Sequence, residues 1–293
     1  MAFPGIRTDG ATLSLPCGTP RISAPLHRAL SAGRGPVTIL VHGFKWSPFH
    51  QSHADPFRQI FADEPERGCR KVVSWTNGLR RGGAETLIPF AWDALPRTPQ
   101  KPVPARAFRE VYARAERAGR MLAALVETIR HLAPERPVHV FGHSLGARVG
   151  LAAVRAGARF ERMVLVAGAE TAALTDQALD TGRIGTLYSV TSRANAAYDW
   201  LFSMSIPCQG RTIHRLEARP GFLPIDLSRA DTRRALAALG HRIALPETRV
   251  CHWGVYTAPG ALPFYGALLQ DDEALAPAHF ESLMGWLPHA LTA

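Results

Sequence analysis

Along residues 107–133 apolar side chains recur every three or four positions. Phe108, Val111, Tyr112, Ala115, Leu122, Leu125, Val126, Ile129 and Leu132 share one face. That 3.6-residue period predicts a long amphipathic helix. Glu110–Arg114 and Glu116–Arg120 add i,i+4 pairs on its polar side, and Pro134 and Pro137 end it. Shorter apolar runs carry no helical period. Val37–Val41 and residues 138–141, 162–167 and 186–191 are compact and largely β-branched or aliphatic, as in strands buried on both faces of a parallel sheet. Residues 71–75 and 248–251 are read as two further short strands. A small-residue helix is expected from Leu145 to about Ala156.

Strands alternating with helices predict an α/β fold: a mostly parallel central sheet with helices on both faces. There is no internal repeat or low-complexity tract, so residues 1–293 are read as a single domain. Residues 76–106 read as irregular, with Gly78, Gly82, Gly83 and prolines at 89, 96, 99, 102 and 104. So long a loop predicts a lid or insertion. Its Leu87, Ile88, Phe90 and Trp92, with Trp75, then line an acyl pocket, or else simply cover the core.

Sites in parallel sheets gather at the carboxyl ends of the strands. The most unusual of these ends is Gly142-His143-Ser144-Leu145-Gly146, between a strand and a helix. Glycines two residues either side of a serine suit a very sharp corner, where side chains would collide, and this is the content of a nucleophile elbow. A serine hydroxyl needs a base to take its proton, and the base needs an orienting group. His252, directly after the late run 248–251, is the best base. The backbone N–H of Leu145, and that of Phe44 just past His42-Gly43, are the expected oxyanion donors. His143 sits inside the elbow and is read as packing support; His42 is read as shaping the oxyanion loop. Residues 50–55, His-Gln-Ser-His-Ala-Asp, lack the H-E-x-x-H pattern and predict no metal site.

With VTILVHGF at 37–44, FGHSLGARV at 141–149 and VCHWG at 250–254, the chain resembles an α/β-hydrolase of the lipase/esterase type over roughly residues 37–260. The resemblance implies a serine hydrolase with a catalytic triad and oxyanion hole, no cofactor, and a small-molecule ester or thioester substrate. It implies an acyl-enzyme on Ser144 with His252 as general base. A thioesterase or acyltransferase on the same site is the alternative within enzymes; a binding protein with a vestigial site is the alternative outside them. The family's usual place for the acid is just beyond residues 187–191. There Ser192–Tyr198 holds no carboxylate, and Asp199 is the first. Asp199 is therefore the first choice of acid. Asp226, after the apolar run 222–225, is the second, and Asn195 is an expected helix cap that can also orient the base.

Composition narrows the partners. Apolar content of 46% and charged content of 20% are those of an ordinary globular chain. The formal net charge is +10, but the basic residues are scattered and all except Lys45, Lys71 and Lys101 are arginine. With no basic run or recognition motif, nucleic acid is not an expected partner. Cys17, Cys69, Cys208 and Cys251 follow no C-x-x-C spacing, which predicts free thiols. No run approaches a membrane span, and the N-terminus is broken by Pro4, Gly5 and Gly10; a cytoplasmic location is the expectation.

Overall fold

A computed structural model describes residues 3–50, 53–66, 71–97, 104–206, 211–245, 248–270, 275, 276, 278 and 282. Eight strands form one sheet. In chain order they are β1 (Ile6–Thr8), β2 (Leu13–Ser14), β3 (Val37–Val41), β4 (Thr86–Trp92), β5 (Val138–His143), β6 (Phe160–Val166), β7 (Ile184–Thr191) and β8 (Phe222–Asp226). Their spatial order is β2-β1-β4-β3-β5-β6-β7-β8, and every pairing is parallel except β1 with β2.

The alternation of side chains along the strands builds two cores. Val37, Ile39 and Val41 of β3, Ile88 and Phe90 of β4, and Val138 and Val140 of β5 face one side. There they meet the apolar stripe of α3 (Pro104–Leu132), which carries Val111, Leu122, Leu125 and Ile129, and α4 (Leu145–Arg155). Leu40, Leu87 and Phe141 face the other side. Their partners are Trp75 and Leu79 of α2 (Trp75–Arg80) and Phe264, Tyr265 and Leu268 of α9 (Ala261–Leu268). The other helices among the described residues are α1 (Ser23–Ala32), α5 (Ala172–Leu179), α6 (Ala196–Ser205), α7 (Ala230–Ala238) and α8 (Gly254–Thr257).

From β3 the chain turns through α2 toward β4; from β5 it leaves through α4 toward β6 on the opposite side. The carboxyl ends of the neighbours β3 and β5 therefore flank a topological switch point, where such a sheet opens a crevice.

Three sequence expectations need correction. The segment 76–106 is not a lid over its length. Thr86–Trp92 is buried strand β4, paired with β1 and β3, and α2 precedes it; residues 98–103 lie outside the described residues. Leu87, Ile88, Phe90 and Trp92 therefore cover the core. Pro89 argued against a strand, but β1 pairs only with Phe90–Trp92, so residues 86–89 have one unpaired edge, where proline is tolerated. Residues 71–75 are no strand, because the Ser74 hydroxyl accepts from Asn77 N–H at 3.1 Å and caps α2. Residues 248–251 form an irregular loop, and β8 is the last strand among the described residues.

Strand β4 gives a direct check. Ile88→Ala removes a fully buried side chain and is expected to cost about 2–5 kcal/mol in urea unfolding. A chain lacking residues 79–103 is expected to yield no soluble folded protein, read by circular dichroism.

Candidate active site

Ser144 sits on the corner between β5 and α4 with φ 54° and ψ −122°. A non-glycine residue there is strained, and the surroundings must hold it. They do so through backbone. Ser144 N–H donates to Val166 O at 3.1 Å, and Ser144 O accepts from Ala147 N–H at 3.0 Å and Ala169 N–H at 2.9 Å. The flanking glycines allow the approach. A Cβ on Gly142 would lie 3.1 Å from the backbone of Gly146, and one on Gly146 only 2.2 Å from Val41 O. Gly43, after β3, faces the serine: its Cβ would lie 2.7 Å from Ser144 Cβ and 3.2 Å from Leu145 N. The Leu145 N–H belongs to the first turn of α4 and has no intrahelical acceptor.

The loop opposite is held rigidly. His42 Nδ1–H donates to Gly43 O at 2.9 Å, and its Nε2 accepts from Trp92 N–H at 3.1 Å. Trp92 Nε1–H in turn donates to His42 O at 3.0 Å, and the two rings stack. Burial pushes the ring's pKa down to about 4, against the opposing pull of the Gly43 hydrogen bond. His42 is therefore a strut that ties the Phe44 loop to β4. Lys45, with φ 73°, donates its N–H to Ala94 O at 3.0 Å, and the Phe44 ring packs edge-on against Phe108.

His252 lies on the loop before α8. Cys251 N–H donates to Ala194 O at 2.9 Å, and His143 Nε2–H donates to His252 O at 3.2 Å. His143, the residue before Ser144, thus fastens the His252 loop to the elbow. The His252 ring lies between His143 and Tyr198, each 4.6 Å away centre to centre. Its Nδ1–H donates to Asn195 Oδ1 at 2.7 Å, which leaves Nε2 as the proton acceptor. Burial, then the neighbouring His143 and His214, hold its pKa well below 6.5. Among the described residues no hydrogen bond links Ser144 to His252; such contacts commonly form only when substrate binds.

Asp199 is not the partner of His252; Asn195 is. The single turn Arg193–Asn195 carries the amide to the ring, whereas Asp199 falls one turn into α6, behind it. Asn195, fully buried, donates from Nδ2 to Asp199 Oδ1 at 3.0 Å. Its side chain caps no helix, contrary to the sequence expectation. Burial pushes Asp199 up to about 7, against the opposing pull of Arg215 and the Asn195 amide. His214 Nε2 stands 3.8 Å from the same carboxylate oxygen. Asp226 Oδ1 accepts from Ser228 N–H at 2.8 Å and closes the turn after β8. The sequence signal that raises Asn195 from a cap to an alternative partner of the ring is the missing carboxylate beyond β7.

Other buried polar groups are structural. Glu170 is fully buried, but it binds Arg148 at 2.8 Å, Tyr112 OH at 2.5 Å and Thr171 N–H at 2.8 Å. Asp55 accepts from Phe57 N–H at the start of a short turn. Among the described residues no group of three or more His, Cys, Asp or Glu is placed to hold a metal, and no helix is long and apolar enough to cross a membrane.

No family model and no curated protein matches the chain. Among solved structures, a provisionally named YdeN-like hydrolase of Pectobacterium atrosepticum is similar over 71% of this chain and 84% of its own. The identity is 14% and the TM-score 0.28, a likeness too distant to bear on the site.

The half-buried Asp199 carboxylate has a consequence for stability. Its pKa is raised from 3.8 to about 7, so the folded state holds a proton that the unfolded chain releases. Its contribution is fully present below pH 3.8 and is lost as pH rises through 7. Asp199→Asn is therefore expected to match the wild type near pH 3.5 and to exceed it in Tm by a margin that grows up to pH 7, measured by thermal melts across that range.

Proposed function

We propose that the protein is a serine hydrolase of carboxylic esters, with Ser144 as nucleophile, His252 as general base and Asn195 as the group that orients the base. The observation that carries this reading is the conjunction of a strained Ser144 elbow with an imidazole whose Nδ1–H is committed to Asn195 Oδ1. In the first half-reaction the Ser144 proton passes to His252 Nε2 as Oγ bonds to the ester carbon. The oxyanion is received by the N–H groups of Leu145 and Phe44. The C–O bond to the leaving alcohol then breaks, and His252 returns the proton to that oxygen. Water repeats the sequence on the acyl-enzyme and frees the acid.

Asn195 favours a second reading within the same chemistry. A neutral amide stabilises an imidazolium less than a carboxylate does, and burial already disfavours that cation. His252 is then a weaker base than in a Ser-His-Asp site, and the imidazolium that must protonate a leaving alkoxide forms less readily. A thiolate leaves with little protonation, since thiols ionise near ~8.5. Acyl thioesters are thus the alternative substrate class, and equal acyl chains on an alkyl ester, an aryl ester and a thioester compare the two.

Labelling tests the nucleophile. A fluorophosphonate is expected to modify Ser144, identified by peptide mass spectrometry, and Ser144→Ala is expected to lower kcat by on the order of 10⁶. Retention of more than a few per cent of the wild-type rate removes Ser144 from the role. The pH profile tests the base. Because burial favours the neutral ring, the collapse of kcat/KM on acidification is expected below pH 6.5. His252→Gln should leave no activity whose pH profile can be measured.

A further inference from the structure

An amide can occupy the place of Asn195 in two ways, related by a half-turn of its plane, and its shape does not choose between them. In one, Oδ1 faces His252, the ring carries its proton on Nδ1, and Nε2 is free to accept. In the other, Nδ2–H faces His252 and draws the ring proton to Nε2, where it blocks the Ser144 side. Something outside the amide must decide.

Asp199 stands on the amide's far side, with Oδ1 3.0 Å from Asn195 Nδ2. An ionised carboxylate offers only acceptors, so it attracts the Nδ2 end and repels the Oδ1 end. Asn195 is fully buried, so water cannot substitute. Both residues belong to the entry of α6, four positions apart, which fixes their spacing. The ring is held from a third direction by the stacked Tyr198 and by the His143 bond to its backbone, so it cannot swing to another acceptor.

We propose that Asp199 is a positioning residue that sets the orientation of the Asn195 amide and, through it, the tautomer of His252, without touching the ring. Its effect on turnover rests on the serine hydrolase reading; its effect on the tautomer does not.

The test is ¹⁵N NMR of the full chain labelled at histidine, at pH 8, where Asp199 is ionised. The His252 signals are identified by their loss in His252→Gln. The wild type is expected to be protonated on Nδ1. Asp199→Asn, whose amide can donate or accept, and Asp199→Leu, which does neither, should both bring up the Nε2–H form. Their kcat for an ester should fall by at least about tenfold, short of the ~10⁴ that a wrong tautomer costs a serine triad. KM should stay within about twofold if only the base is affected. Asn195→Asp combined with Asp199→Asn places the carboxylate directly on Nδ1–H. It should restore the wild-type tautomer and recover the rate lost in Asp199→Asn, a rescue that a merely structural role would not give. The proposal is overturned if both Asp199 variants keep a single Nδ1–H ring, or if the double variant stays as impaired as Asp199→Asn. Should no ester or thioester be turned over and no probe label Ser144, the hydrolase reading fails while the spectra still decide the role of Asp199.

Discussion

The backbone at the ends of β3 and β5 lies closer together than side chains permit, and the site follows from that contact. The two strands are paired along their length up to Val41 opposite Gly142, so the approach cannot relax by sliding. At the corner a Cβ on Gly146 would meet Val41 O at 2.2 Å, and one on Gly43 would meet Ser144 Cβ at 2.7 Å. With both positions glycine, the chain can turn from strand to helix within one residue. That residue, Ser144, absorbs the turn in its positive φ. The same contact brings Gly43 against Leu145 N in the first turn of α4, beside the crevice between the strands. The switch in strand order puts that crevice at the sheet's centre, where helices on both faces hold its walls.

Burial then determines how the histidines behave. His42, His143 and His214 are each pushed to about 4 by desolvation, and His252 well below its usual value. Neutral rings can pack 4.6 Å apart, as His143 and His252 do; a charge on either would repel a proton from the other. Neutrality also makes each ring directional, one nitrogen donating and one accepting. His42 uses both to clasp Gly43 and Trp92, and His143 uses its donor on the His252 backbone. His252 spends its donor on Asn195, and among the described residues its acceptor meets no hydrogen-bond donor. Three imidazoles of similar environment are told apart by the partner that takes their proton.

How much of this the sequence showed depends on the range of the interaction behind each feature. The long helix, the strand β3 and the elbow are local patterns of period or spacing, and they stand where the residues put them. The elbow's glycines were legible because a steric requirement at fixed offsets acts within five residues. Strand β4 was not, because Pro89 is a local signal against a strand, while the reason it is tolerated is the short register of β1, more than eighty positions earlier in the chain. Residues 71–75 failed for the opposite reason. The apolar run was real, but Ser74 caps a helix that the run leads into. The hydrogen-bond partner of the His252 ring lies one helical turn before the expected one. A carboxylate is the expected partner, and Asp199 is the first one beyond β7; that Asn195 reaches the ring first depends on where a single turn ends and α6 begins.

Three carboxylates of this chain show why Asp199 stands apart. Glu170 is wholly buried, but an arginine, a phenol and a backbone N–H satisfy it, as a buried charge requires. Asp231 is exposed, bound by Arg229 and by its neighbour's N–H, and held down at about 2. Asp199 has neither remedy. It is mostly withdrawn from water, has one amide as its hydrogen-bond donor, and is raised to about 7. The fold has no need of a charge there: α6 would stand as well with a neutral residue, and better above neutral pH. This unrelieved carboxylate stands one amide away from the ring of His252, and the Asn195 amide is the group the two share.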